Sequence, residues 1–266
     1  MRPRFVLSLS GTVLLFASSL FLAAPPAAAA AATGNYVALG DSYSSGEGTG
    51  DYIGSAGSCN RSLHAYPALW ASAHSPASFA FVACSGATTA DVIDKQLSSV
   101  NSATTLVSIS VGGNDAGFAS AMQTCVLNGT NACLTAVNNS KNFATSKLPA
   151  LLDQVYAGIR NRAPSARVVV LGYPHLYKIG GSCTFGISDT SRNAINGAAD
   201  TIDSVIAGRA GAAGFAFGDV RPVFTDHEIC SSDWWLNSTR VIVHESYHPN
   251  ATGHANGYLP TFSARA

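Results

Sequence analysis

The chain has 266 residues, of which 47% are hydrophobic and only 11% charged, with 15 basic residues against 15 acidic ones. So little charge beside so much apolar material excludes a disordered tail and a coiled coil. The neutral balance leaves no electrostatic footprint for nucleic acid or an anionic membrane, and the length suits one well-filled core.

Residues 1–32 carry Arg2 and Arg4, then an apolar run over 12–24, then a tract of Ala and Pro. These are the charged, apolar and small-residue zones of a secretory signal peptide, with cleavage expected near 30–33. The apolar run is short for a membrane anchor and ends in Pro25 and Pro26. Residues 33–266 are therefore expected to form one exported domain. Without the two arginines, its acidic residues outnumber its basic ones by two. All six cysteines (Cys59, Cys84, Cys125, Cys133, Cys183 and Cys230) lie beyond the signal segment. An even count in an oxidising compartment predicts three disulfides. Their order suggests the pairs Cys59–Cys84, Cys125–Cys133 and Cys183–Cys230, but six cysteines allow many other connectivities. There is no CxxC pair, which disfavours zinc.

The first predicted strand is the short apolar run at 36–39, followed by the loop Gly40, Asp41, Ser42 and onward to Gly46. A serine directly after a buried strand, with glycines relieving the turn, can project its hydroxyl at the carboxyl edge of a sheet; taken alone it reads equally as a capping serine. Asp41 reads as a structural residue that bonds loop amides. A second strand at 79–83 leads into a loop carrying Cys84, Ser85 and Gly86, where a bare peptide N–H could serve an anion. A third at 105–111 leads into Gly112, Gly113, Asn114 and Asp115, where the Asn114 amide could face an oxyanion. Residues 148–162 read as a helix with Leu151, Leu152, Val155 and Ile159 on one face, Pro149 being tolerable in its first turn. A fourth strand follows at 167–171, then a helix over 188–209 with Ile195, Ala199, Ile202 and Ile206 aligned, and a fifth strand at 215–220. Apolar strands alternating with helices predict an α/β fold, a parallel sheet covered on both faces. Sites in such sheets form beyond the carboxyl ends of the strands.

Trp234, Trp235 and Leu236 read as an acyl groove, a lipid-contacting patch or packed core. The next block, His244, Glu245 and His248, matches the HExxH pattern of zinc proteases, and His254 stands where an extended motif has its third ligand. That chemistry needs His244 and His248 on one helix face. Pro249 disfavours helical geometry at His248, and the run before His244 looks extended.

Together, the blocks Gly40-Asp41-Ser42, Gly86, Gly112 to Asp115, and Glu245 to Pro249 resemble, in order and context, the SGNH or GDSL hydrolases, over residues 36–262. The similarity is greatest to the secreted actinobacterial lipases and esterases with three disulfides. The resemblance implies a flavodoxin-like three-layer α/β/α sandwich around a parallel five-stranded sheet. It implies Ser42 as nucleophile and His248 as its general base. The oxyanion hole would be formed by the N–H groups of Ser42 and Gly86 and the Asn114 amide. The family usually has Asp three residues before the histidine; here Glu245 stands there. It is expected to orient His248, with a main-chain carbonyl near 245–246 as the alternative. The implied activity is hydrolysis of lipid esters (acylglycerols or phospholipids) through an acyl-serine, by a secreted monomer that needs no metal or cofactor and touches lipid interfaces transiently. Soluble short-chain or carbohydrate acyl esters are the second substrate class. No separate apolar lid is evident, so strong interfacial activation is not expected. The rivals from other classes are the zinc protease and a secreted binding module that kept the fold without the chemistry.

Overall fold

The computed structural model describes Met1 and residues 34–183 and 186–266. The signal-peptide expectation for 1–32 lies outside the described residues, apart from Met1. Five parallel strands, β1 (Asn35–Ala38), β2 (Ser78–Phe81), β3 (Thr104–Ile109), β4 (Arg167–Leu171) and β5 (Ala216–Gly218), form one sheet in the order β2-β1-β3-β4-β5. All five strands predicted from apolar runs are present. β4 coincides with its run, and the other four are shorter than theirs or shifted by a residue or two, because the last residues of a run leave the ladder to enter a loop.

Helices cover both faces of the sheet, among them the short α3 (Thr89–Asp91) and α8 (Arg221–Phe224). On one face, Tyr36 of β1 stacks on Phe262 of α9 (Leu259–Ser263) and meets Trp70 of α2 (Tyr66–His74) edge-on, with ring centroids 5.6 and 5.2 Å away. Elsewhere α6 (Leu148–Arg162) and α7 (Asp189–Ala212) pack together, and α7 buries Ile195, Ala199, Ile202 and Ile206 as its spacing predicted. On α6, Leu152, Val155 and Ile159 are buried, joined by Tyr156, whereas Leu151 is only half-buried. Each such aliphatic side chain contributes about 1.5–3 kcal/mol when taken from water.

The helical hairpin of α4 (Phe118–Leu127) and α5 (Gly129–Ser146) was not anticipated. Helix α5 does carry a helical seam, Cys133, Val137, Ser140 and Ala144, but it is built of small side chains, so its apolar signal is faint. The disulfides are Cys59–Cys84, Cys125–Cys133 and Cys183–Cys230, in agreement with the sequential set.

The chain leaves β1 and proceeds to β2 on one side, then crosses to β3 on the other. The crevice beyond the ends of β1 and β3 is thus the topological switch point, where open α/β sheets bind ligands.

Candidate active site

At the exit of β1 the backbone runs too close to β3 for any side chain. A Cβ on Gly40, whose φ is +123°, would lie 2.5 Å from the Ser110 carbonyl oxygen. Asp41 then caps the one-turn helix α1 (Ser42–Ser45), accepting from Tyr43 N at 3.0 Å and from Ser110 Oγ at 2.7 Å, and it also accepts from the Tyr173 hydroxyl. Burial pushes its carboxyl up to about 6, against those hydrogen bonds. Asp41 is a brace, as its loop position suggested, and it fixes Ser42 as the first residue of α1.

Residues from the far end of the chain meet this loop. The Tyr43 hydroxyl donates to the Tyr247 carbonyl at 2.7 Å, and Asn237 Nδ2 donates to the Gly48 carbonyl at 2.8 Å. Gly48 leaves room for the histidine, since a Cβ there would sit 2.8 Å from His248 Cβ. The Ser42 hydroxyl and His248 Nε2 are consequently 2.8 Å apart, a hydrogen bond between residues 206 positions apart in sequence. Burial holds the imidazole below its ordinary pKa. The charge of Glu47 and the main-chain carbonyls of Ser246 and His244 oppose that shift. A neutral imidazole is the form that can take a proton from serine.

The loops after β2 and β3 complete the site. Asn114 donates one amide hydrogen to the Ala87 carbonyl at 3.0 Å, leaving the second free. Thr89 donates its N–H and hydroxyl to Asp115, the hydroxyl at 2.6 Å, knitting the two loops together. The N–H of Gly86 has no acceptor among the described residues, and the Cys59–Cys84 disulfide anchors its loop two residues earlier. Ser42, Gly86, Asn114 and His248 all border one pocket of about 610 Å³. Apolar side chains line it as well, among them Phe118 and Met122 from α4, Leu176, and Ile202 from α7.

The structure also bears on three further readings of the sequence. The Glu245 carboxylate accepts from the Tyr52 hydroxyl at 2.9 Å and lies 3.7 Å from Arg240, and among the described residues no hydrogen bond joins it to His248. Glu245 ends the 3-10 turn Val243–Glu245, and among the described residues the buried His248 Nδ1 has no hydrogen-bond partner, neither this carboxylate nor a main-chain carbonyl. The HExxH geometry is absent from this segment. His244 Nδ1 donates to Glu47 at 2.6 Å, Tyr247 has φ of +66°, and His248 faces Ser42, so the two imidazoles do not share a helix face. Finally, Trp235 is buried and stacked on His227, and neither it nor the half-exposed Trp234 borders the pocket.

Sequence reasoning missed Glu47. It is fully buried at the pocket wall and accepts from His244, Asn60 and Ser85. Its only signal was rarity, since it is one of three glutamates in the chain.

A serine–imidazole pair with unpaired N–H donors, set at the switch point of a parallel α/β sheet, defines a serine hydrolase. The chain belongs to the GDSL-like lipase/acylhydrolase family, whose model matches residues 38–255, and it is an ester hydrolase of the lipase/esterase class. It is 52% identical to lipase 1 of Streptomyces coelicolor, over 94% of this chain and 97% of that one. Among solved structures it resembles phospholipase A1 from Streptomyces albidoflavus NA297, with 56% identity, a TM-score of 0.87, and coverage of 88% of this chain and 100% of the other. It also resembles the extracellular lipase from Streptomyces rimosus, again at 56% identity, with a TM-score of 0.86 and the same coverage.

Proposed function

We propose that the protein is an exported hydrolase of lipid acyl esters, acylglycerols or phospholipids, which works through an acyl-Ser42 intermediate. The observation that carries this reading is the Ser42–His248 hydrogen bond at a pocket lined by apolar as well as polar side chains. His248 Nε2 takes the hydroxyl proton as Ser42 Oγ attacks the ester carbonyl carbon. The N–H groups of Ser42 and Gly86 and the free amide hydrogen of Asn114 receive the oxyanion, each donor being worth roughly 3–4 kcal/mol in the transition state. The imidazolium returns its proton to the departing alkoxide. Water, deprotonated by the same nitrogen, then releases the acid and regenerates Ser42. The acyl chain lies along the apolar lining, and the leaving group faces Glu47, Ser85 and His244.

Export is supported by three disulfides, which persist in oxidising compartments, and by the signal-like character of residues 1–32. Among the described residues, no helix is long and apolar enough to cross a membrane. A panel of p-nitrophenyl esters, triacylglycerol and phosphatidylcholine, run beside Ser42→Ala, tests the activity. Hydrolysis by wild type that the variant lacks is expected. Wild type inactive on both lipids would overturn the substrate class, and activity in Ser42→Ala would overturn the nucleophile.

A further inference from the structure

Two exposed apolar segments reach the pocket. At the end of α4, Val126 and Leu127 border the pocket, yet Leu127 is 69% exposed. On the segment that leads to His248, Val241 and Ile242 stand out from the surface, and Val243, 77% exposed, also borders the pocket. Single exposed aliphatics are ordinary, but a branched aliphatic triplet at the rim of a substrate pocket is a patch of the kind that marks a docking surface.

Two further features bear on what covers it. No charged residue occurs between Asp115 and Lys141, so the hairpin of α4 and α5 surrounds Leu127 with uncharged Ser, Thr, Asn and Gln. The neighbouring Arg240 lies against the Glu245 carboxylate. In addition, the Cys125–Cys133 disulfide ties the two helices together directly behind the tip that carries Val126 and Leu127.

We propose that Val126, Leu127 and the triplet Val241, Ile242 and Val243 form a preset docking rim for a neutral or zwitterionic lipid surface. This rests on the lipid-ester reading above. The rim is continuous with the apolar lining of the pocket, so an acyl chain can pass from lipid to pocket without crossing water. A second protein copy seated there would instead close the mouth to substrate. The uncharged hairpin offers no cation for anionic head groups, which polybasic surfaces recognise. Insertion of a few aliphatic side chains gives reversible association, strengthened by apolar area alone. Because the hairpin is stapled, docking concentrates the enzyme at the surface without uncovering the site.

The test uses the variant carrying both Val241→Asp and Ile242→Asp, neither residue being part of the pocket wall. Its hydrolysis of soluble p-nitrophenyl butyrate should stay within about twofold of wild type, which also reports a folded site. Sedimentation with vesicles of diether phosphatidylcholine, which cannot be hydrolysed, should show binding at least about tenfold weaker than wild type. Hydrolysis of diacyl phosphatidylcholine vesicles should fall in parallel, and adding vesicles to wild type should leave its soluble-ester rate unchanged. Wild-type-like vesicle binding by the variant overturns the rim. So does a tenfold or greater gain in wild-type binding on adding phosphatidylglycerol. If wild type cleaves p-nitrophenyl butyrate but no phospholipid, even a short-chain one below its micellar threshold, the substrate reading fails and the rim with it. Cleavage of that monomeric phospholipid, combined with full vesicle binding by the variant, overturns the rim alone.

Discussion

Glu245 and Tyr52 are joined by a hydrogen bond of 2.9 Å, and Tyr52 in turn accepts from the N–H of Gly48 at 3.0 Å. The glutamate three residues before His248 therefore holds two loops together, and no hydrogen bond among the described residues joins it to that ring. Glu245→Gln keeps an acceptor for the Tyr52 hydroxyl and is expected to retain kcat within about threefold. Glu245→Ala should instead lower the unfolding midpoint by leaving that hydroxyl unpaired. A drop in kcat of two orders of magnitude or more for the Gln variant, with stability unchanged, would restore Glu245 as the orienting acid.

The lowered pKa of His248 sets the pH dependence. Only the neutral ring accepts the serine proton, and burial keeps it neutral to lower pH than an ordinary imidazole, whose value is 6.5. The acidic limb of kcat/KM for a soluble ester should therefore have its midpoint below 6.5. A midpoint at or above that value would contradict the burial argument. The measurement is a pH–rate profile at saturating and sub-saturating substrate, because kcat/KM reports the free enzyme.

Asn114 already spends one amide hydrogen on Ala87, so its position is fixed before substrate arrives. Asn114→Ala removes the second hydrogen from the transition state and is expected to lower kcat by about 10²–10³-fold with KM little changed. Equal losses in kcat and binding of an unreactive ester analogue would point to a collapsed loop instead.

His254 contributes to stability rather than chemistry. It is fully buried, its Nδ1 accepts from Tyr66 N at 3.3 Å, and burial lowers its pKa from 6.5 to about 3. The unfolded chain thus binds a proton that the folded chain refuses. The stability conferred is complete above pH 6.5 and is lost as pH falls towards 3. Between pH 6.5 and 4, wild type should lose on the order of 3 kcal/mol more than His254→Gln. Urea unfolding at intervals across that range checks it, and parallel curves for the two proteins would refute it.

The sheet was legible in the sequence because parallel strands buried on both faces are written as continuous apolar runs, and a run such as 167–171 has few other readings. Helix α7 was legible because its buried face is made of large aliphatics at helical spacing. Helix α5 was not, because its seam depends on Cys133, Ser140 and Ala144, whose burial is rewarded only by the close approach of a neighbour. Among the site residues, Ser42, Gly86 and Asn114 could be placed because each follows a strand, and strand ends in such sheets converge. By itself the sequence determined the parallel sheet, the three loops at its carboxyl edge and the motif blocks that point to an ester hydrolase. Only the tertiary structure decided that Glu245 faces Tyr52, that Glu47 lines the pocket, and that Val241 to Val243 stand exposed at its mouth. Those facts depend on contacts between segments some two hundred residues apart, whose directions no local pattern encodes.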